Sequence, residues 1–246
     1  MISAHGRRSI RELTRRRARS FLTIATIAVA IAGVWLFAIP GNVESTLEER
    51  ARTDVMHTAR LAPAAADLSD DQVAALRAVD NVAGLDLRTL AVTEVRFDGR
   101  VQRVILVGVG DFDEQVVNVV TLDRGTFPTE AGEVVADSEN GRTGRLPAGT
   151  GDAVGIRTRT GVWSEFEVVG EGGTLRYSSE VANDAPVLYL ANTEVQRVMG
   201  YPAPNSIDVV AADAGRDPVE EMVTDLRTVL DEQVTDLAYW DVLEVW

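Results

Sequence analysis

The sequence predicts an α+β domain that follows a single N-terminal transmembrane helix. Three observations lead to this prediction: an uncharged apolar run near the start of the chain, a β-hairpin directly after a short capped helix, and an amphipathic helix that follows a strand near the end. Helices that precede and follow hairpins, rather than alternating with single strands, are typical of α+β domains. The 246 residues suffice for one such domain or two small ones.

The charge of the chain is −14 overall but is divided unevenly. Residues 1–20 contain seven arginines and one glutamate, and residues 21–39 contain no charged residue. The remainder contains 17 arginines and 37 acidic residues, so we expect no nucleic-acid partner, because phosphates would be repelled. The chain has no cysteine and no lysine. The missing lysine fits a GC-rich genome or, together with the acidity, adaptation to high salt.

Residues 21–39 predict a transmembrane helix. Nineteen uncharged residues form a helix about 28 Å long, which is enough to cross the hydrocarbon core of a bilayer. The basic residues before this run place residues 1–20 in the cytoplasm and residue 40 onward outside, by the positive-inside rule. The alternatives are a cleaved signal peptide, whose apolar run is usually shorter and ends in small residues, and a twin-arginine signal, which the residues after Arg7-Arg8 do not support.

Two groups of residues are predicted to contact the membrane or a neighbouring helix. The predicted membrane-interface residues are Arg7, Arg8, Arg11, Arg15, Arg16, Arg17, Arg19 and Trp35. The predicted helix-packing stripe of small residues is Ala25, Ala28, Ala32 and Gly33. Residues 7–20 would form an amphipathic helix against anionic lipid, or a plain topogenic charge cluster. The stripe also fits the ordinary abundance of alanine and glycine in membrane helices.

The first part of the outer domain is predicted to contain a stalk, a helix and a hairpin. The polar residues 43–60 predict a helical stalk, so that residues 40–59 act as a linker. Ser69 and Gln72 have the spacing of a capping box, and apolar residues at helical spacing extend the predicted helix over 70–79. Residues 88–97 and 100–109 predict two strands, because Asp98-Gly99 between them is typical of a type I′ turn.

The second part is predicted to be richer in strands. Strands are expected at 133–136, within 146–170 on both sides of Thr160-Gly161, at 185–190, at 206–211 and near the C-terminus. A helix from Asn192, as the cap, to Met199 is expected to end at Gly200. A second helix is expected to start at Asp217 as cap, with Pro218 at its first position. Its predicted buried face consists of Val219, Met222, Val223, Leu226, Val229 and Leu230.

The residue types that carry catalysis or bind metals are sparse. The only histidines are His5 and His57, and without cysteine a His/Cys metal site is excluded. A hydrolase triad would have to use His57, which is predicted to lie in the polar stalk helix. The glycines at 170–173 predict a turn or mobile loop. We therefore expect no enzyme activity, no cofactor and no metal site.

Two further patterns have simpler explanations than a ligand site. Gly108-Val109-Gly110 lacks the third glycine of a dinucleotide loop and predicts the end of a strand. Asp67, Asp70 and Asp71 do not have the spacing of an EF-hand loop, and helix capping explains two of them.

Four stretches occur in a characteristic order: residues 9–41, the capped helix and strand from Leu68 to Val95, residues 122–173, and residues 206–213 with the helix after Asp217. Within the third stretch, LDRGTFPTEAGEVVAD, LPAGTGDAVGI and FEVVGEGG look like a G-R-x-F turn, an L-x-x-G-D-x-V strand and an F-x-V-V-G strand. In this order and spacing the chain resembles the N-terminal part of MacB-like and FtsX-like ABC transporter permeases.

The resemblance implies an extracytoplasmic domain of two subdomains. One α+β, porter-like subdomain would contain residues 60–120 with 203–246, and a mostly β subdomain, residues 121–202, would be inserted between them. It also implies a homodimer or paired permease, contact with membrane lipid, and a separate cytoplasmic ABC ATPase as partners. Such permeases continue into three further membrane helices, whereas this chain contains a single predicted span.

The sequence therefore leads to one function hypothesis and two alternatives. The first is a non-catalytic module of such a permease, which transmits ATPase-driven motion or docks substrates outside the membrane. The second is a single-span envelope protein that binds a ligand or lipid by itself. The third is a membrane-anchored hydrolase that depends on His57.

Overall fold

The computed structural model describes residues 55–63, 68–174, 185–230 and 234–239, which all belong to one compact unit, Ala51–Trp246. The predicted segments 1–20 and 21–39, with all their interface and packing residues, lie outside these ranges. Within the described ranges, no helix combines the length and the apolar character needed to cross a bilayer.

The described residues form ten strands and four helices. The strands are β1 (Ala59–Pro63), β2 (Val82–Phe97), β3 (Arg100–Val109), β4 (Thr121–Gly125), β5 (Glu133–Asp137), β6 (Ala153–Arg157), β7 (Trp163–Gly173), β8 (Val187–Ala191), β9 (Ser206–Ala211) and β10 (Val234–Tyr239). The helices are α1 (Asp70–Arg77), α2 (Ser138–Thr143), α3 (Asn192–Met199) and α4 (Arg216–Val229). This mixture confirms the predicted α+β class.

The strands form two sheets that share β2. In the first sheet the order is β10-β1-β9-β2, and every neighbouring pair is antiparallel. In the second sheet the strand order is β2-β3-β8-β5-β7-β6. The last of these strands, β6, pairs with β2 again. These six strands therefore close into a ring, and β4 extends it along β7.

Each sheet has its own hydrophobic core. The first core lies between the first sheet and the helices α1 and α4, and its fully buried members include Leu61, Leu76, Ile207, Val209 and Leu226. The ring encloses a second core, whose members include Val95, Leu106, Ile156, Phe166 and Leu188. Helix α3 adds Val195, Val198 and Met199 to this second core.

A third core covers the outer face of β3, β5 and β8. Strand side chains alternate between the two faces of a sheet, so Leu188 and Leu190 enter the ring while Val187 and Tyr189 join the outer core. Phe112 stacks on Phe127 at a centroid distance of 4.8 Å above this outer face. Because both faces are covered, β8 is a continuous apolar run and does not alternate with polar residues.

Several local predictions are confirmed. The Ser69–Gln72 capping box is formed at the start of α1. Asp98 and Gly99 have φ values of 47° and 72°, as the predicted type I′ turn requires. On α4 the predicted buried face includes Val219, Met222, Val223 and Leu226, while Val229 is partly buried.

The prediction of a helical stalk over 43–60 is wrong for the described part of that range. Residues 59–63 form strand β1, between β9 and β10, and residues 55–58 are not helical. Ala59 and Leu61 have no exposed surface. Their burial between two strands overrides the weak helical preference of the polar residues before them.

The prediction of a turn or loop at 170–173 is also wrong, because these residues belong to β7. Gly170 and Gly172 lie against the backbone of β4 and the residue after it: a Cβ on Gly170 would lie 2.5 Å from Thr126 O. A Cβ on Gly172 would overlap Thr121 O. The glycines therefore allow two strands to approach closely rather than bend the chain.

The two predicted side-chain caps are absent. Asn192 is the first residue of α3, and its Nδ2 donates to Leu87 O on β2 instead (2.9 Å). Helix α4 starts at Arg216 with Gly215 as its N-cap, so Asp217 lies inside the first turn. The end of α3 at Gly200, with φ 65°, is as predicted.

Candidate functional site

Strand β2 passes from one sheet into the other at its middle. Leu87 and Arg88 pair with Ile207 and Ser206 of β9, whereas Thr89 and Leu90 pair with Gly108 and Val107 of β3. The change of partner falls between two consecutive residues. We call Leu87–Leu90 the sheet junction.

Two asparagine side chains bind the backbone of the sheet junction. Asn205 Oδ1 accepts a hydrogen bond from Leu90 N at 2.7 Å, and its Nδ2 donates to Leu90 O at 2.8 Å. Asn192 Nδ2 donates to Leu87 O. A strand that changes partner leaves backbone groups without a ladder partner, and these amides satisfy them. Gly108 allows the approach, since a Cβ there would lie 3.1 Å from Asn192 Cα.

The loop of residues 110–120 is held to the junction by two charged side chains of β2. Asp86 Oδ2 accepts hydrogen bonds from the backbone N–H groups of Val116 (3.0 Å) and Val117 (2.9 Å). Arg88, only 1% exposed, donates through Nη2 to Val117 O (2.6 Å) and Asn118 O (3.3 Å). The two side chains satisfy successive backbone groups of the loop, so they fix its position relative to β2.

A buried carboxylate lies next to this loop. Asp208 on β9 has no exposed surface, and Arg60 on β1 donates to both of its oxygens, from Nε at 2.6 Å and from Nη2 at 2.9 Å. Asn118 Nδ2 and Ser206 Oγ also donate to this carboxylate. Burying a charge is unfavourable unless it is paired and hydrogen-bonded, and four donor groups meet this requirement for Asp208.

His57 completes the group. It is 1% exposed, and Asn118 Oδ1 lies 3.1 Å from both its backbone N and its ring Nδ1. Asn118 has φ 49°, a conformation that asparagine tolerates better than most residues. We call the set Asp86, Arg88, Asn118 and Asp208, with Arg60 and His57, the polar clamp.

The polar clamp joins three segments of the first sheet to the loop and to the start of the domain. The expectation that His57 lies in a polar helix is wrong, because the ring is enclosed beside Asn118. Asp208 is occupied by Arg60 rather than by the histidine. This arrangement is suited to holding segments in place. Within the described ranges, no three metal-ligating side chains come together.

Sequence reasoning missed the polar clamp, although one signal for it was present. Asp208 lies within the apolar strand SIDVVA, and Arg88 follows alternating apolar residues of β2. A charged residue in an otherwise buried strand needs a partner. No local sequence pattern identifies that partner, because Arg60 and Asp208 are 148 residues apart.

The fold is similar to those of solved extracytoplasmic domains. The periplasmic region of MacB from Actinobacillus actinomycetemcomitans is 15% identical, with a TM-score of 0.52, and the match covers 80% of this chain and 95% of that one. The extracellular domain of the noncanonic ABC-type transporter YknZ from Gram-positive bacteria is 12% identical, with a TM-score of 0.49 and coverages of 73% and 99%. The resemblance to MacB-type permeases is therefore confirmed at the level of the fold.

Comparison of the amino-acid sequence with known proteins gives no match. No protein-family model matches the chain, and no curated protein matches it. The chain thus shares its fold with the periplasmic region of MacB at 15% sequence identity.

Proposed function

We propose that this chain is a membrane-anchored, extracytoplasmic module of an ABC transporter permease of the MacB/FtsX type. It is non-catalytic, and it transmits ATPase-driven motion or docks substrates outside the membrane. The observation that carries the proposal is the fold match to the periplasmic region of MacB over 95% of that domain. The predicted basic segment 1–20 and apolar run 21–39 support it, because they provide an anchor on the expected side of the domain.

The ends of the described domain support a mechanical role. Strands β1 and β10 pair antiparallel, with Ala59 opposite Tyr239. The first and the last strand of the described domain therefore lie side by side. A displacement of either end acts on the same edge of the first sheet.

The sheet junction supports transmission beyond that edge. Strand β2 is one continuous element of 16 residues, and it belongs to both sheets. Asn192 and Asn205 bind the backbone of the junction, and Asp86 and Arg88 bind the backbone of the 110–120 loop. A pull on β1 is therefore carried through β9 and β2 to the closed ring. We also propose the division into residues 60–120 with 203–246 and residues 121–202.

The proposed partners are a separate cytoplasmic ABC ATPase, membrane lipid, and either a second copy or another permease subunit. The test is purification of the tagged full-length chain from its native membrane in mild detergent, followed by mass spectrometry. An unrelated single-span protein with the same tag is the control. We expect an ABC ATPase at a constant ratio to the chain, absent from the control. Recovery of the chain alone would contradict the proposal and favour the single-span protein that binds a ligand by itself.

The proposed topology has a separate test, because the chain contains no cysteine. Ser9→Cys lies in the predicted cytoplasmic segment, and Glu114→Cys lies at an exposed position of the loop. In intact cells, a membrane-impermeant maleimide is expected to label the second variant and to label the first only after permeabilisation. The reverse pattern would contradict the orientation.

A further inference from the structure

An open cleft lies where the β6–β7 hairpin meets the C-terminal end of α3. Its volume is about 440 Å³, within the range of small-molecule sites. The backbone N–H of Arg159 donates to Val198 O at 3.0 Å, so the hairpin turn is attached to the last turn of the helix. The lining includes two arginines, three hydroxyl side chains and three apolar side chains.

One of the arginines is held in a fixed position. Arg197 donates to both oxygens of Glu194, at 3.1 and 2.8 Å. The hydrogen bond to Glu194 raises the pKa of Arg197, and the bond to Arg197 lowers the pKa of Glu194. The guanidinium carbon also lies 5.9 Å from the centroid of the Phe166 ring. Arg197 is therefore positioned before any ligand arrives.

The second arginine, Arg159, has a charge that no ion pair within the described residues neutralises. Arg159 is exposed, and Nη1 makes one long hydrogen bond to Gly200 O (3.4 Å). Among the described residues, no acidic side chain lies within ion-pair distance of it. Three acids of the surrounding elements are paired with other arginines: Glu194 binds Arg197, Glu165 binds Arg96, and Glu94 binds Arg157. The cleft therefore has a local positive excess on a strongly acidic domain.

An apolar surface lies beside the two cations. Val162 is 63% exposed, and the half-buried indole of Trp163 follows it. The guanidinium of Arg96 lies 4.9 Å from the centroid of the Trp163 ring, and Glu165 holds that guanidinium at 2.7 Å. Thr158 and Thr160 place their hydroxyls 3.0 Å apart at the hairpin turn. Cations, hydroxyls and an apolar wall thus converge on one space.

We propose that this cleft binds a small organic carboxylate. Its carboxylate group lies against Arg159, because an exposed guanidinium can bind a carboxylate through paired hydrogen bonds. Arg197, whose Nε and Nη2 are bound to Glu194, lies beside it as a second cation. Its apolar part, about the size of one ring, contacts Val162 and Trp163. The inference stands on the geometry of the cleft and does not depend on the proposed transporter role.

The test uses the full-length chain in detergent, with benzoate as the probe and neutral benzamide as its matched analogue. Binding is followed by ligand-observed saturation-transfer NMR. We expect benzoate to bind at least about tenfold more tightly than benzamide, a difference of about 1.4 kcal/mol. The preference should shrink as salt is raised, because exposed charges are screened.

Arg159→Gln should remove the preference for benzoate, whereas Arg159→Lys should retain most of it. The control is Arg216→Gln, an exposed arginine of α4 paired with Glu220, which should bind as the unmodified chain does. Each variant is first checked for an unchanged unfolding midpoint. Equal binding of both probes, no benzoate binding up to about 10 mM, or full benzoate preference in Arg159→Gln would overturn the proposal.

Discussion

Asp208 illustrates how single residues hold this domain together. Its carboxylate has no exposed surface, yet it lies on a strand whose neighbours Ile207 and Val209 are core residues. Arg60 and Asn118 bring donors to it from β1 and from the 110–120 loop. An apolar residue at this position could accept none of the hydrogen bonds that Arg60 and Asn118 donate.

Asp208→Asn tests the buried pair at nearly constant volume. We expect the free energy of unfolding to fall by about 3–5 kcal/mol, because the substitution breaks a buried ion pair in which Arg60 donates to both carboxylate oxygens. The measurement is chemical denaturation of the full-length chain followed by circular dichroism. The control is Glu220→Gln, which removes an exposed i,i+4 partner of Arg216 and should cost at most about 0.5 kcal/mol. Equal effects of the two substitutions would contradict the structural role of Asp208.

Glu194 provides a test that depends on pH. The hydrogen bond and the charge of Arg197, together with the N–H of Gly132, lower the pKa of this carboxyl, against a smaller opposing effect of burial. A folded pKa below the unfolded one, which is about 4.3, stabilises the fold above that unfolded value. This stabilisation is lost as the pH falls through the folded pKa.

Glu194→Gln should therefore lower the unfolding midpoint at pH 7, and the difference from the unmodified chain should become smaller towards pH 3. The measurement is thermal unfolding at several pH values in constant salt. A difference that does not change with pH would mean that Glu194 acts through packing alone.

At the scale of elements, the pairing of strand β7 with its neighbours depends on glycine residues. It pairs with β5, β6 and β4, and its last residues carry three glycines. Gly170 and Gly172 face the backbone of β4 and the residue after it, where a Cβ has no room. This close approach explains why a glycine-rich segment forms a regular strand.

Gly172→Ala should destabilise the domain by about 1–3 kcal/mol, because the new methyl group overlaps Thr121 O on β4. Gly141→Ala on α2 is the matched control. No atom lies within 4 Å of the Cβ position there, and a helical alanine is more favourable than glycine by about 0.5–1 kcal/mol. Chemical denaturation should thus give opposite signs for the same chemical change. A neutral effect of Gly172→Ala would show that β4 can move away from β7.

At the scale of the whole molecule, the ends of the described domain meet. Strand β1 starts at Ala59 and β10 ends at Tyr239, and these residues are opposite each other across the pair. The proposed role depends on this arrangement, because both ends then act on one sheet edge. The absence of natural cysteines makes the arrangement accessible to cross-linking.

Ala59→Cys combined with Tyr239→Cys should form a disulfide under mild oxidation, since opposite residues of antiparallel strands are close enough for one. The control pairs Ala59→Cys with Ala238→Cys, a shift of one residue that places the second cysteine on the other face of the sheet. Gel mobility before and after reduction distinguishes the products. Preferential cross-linking of the 59/238 pair would contradict the register.

The sequence by itself determined the local elements and the class of the fold. The Asp98-Gly99 turn, the Ser69 capping box and the apolar face of α4 all formed as predicted. Each depends on residues at most about four positions apart, where backbone conformation and helical spacing decide the outcome. The order of such elements also led to the MacB-like fold.

The tertiary structure alone decided the sheet junction, the polar clamp and the extended conformation of residues 170–173. His57 meets Asn118 across 61 residues, and Arg60 meets Asp208 across 148. Glycines 170 and 172 are explained only by the strand β4 that lies against them. The physical reason is common to all three features: the partner that decides each conformation is remote in sequence, so no local pattern specifies it until the chain has packed.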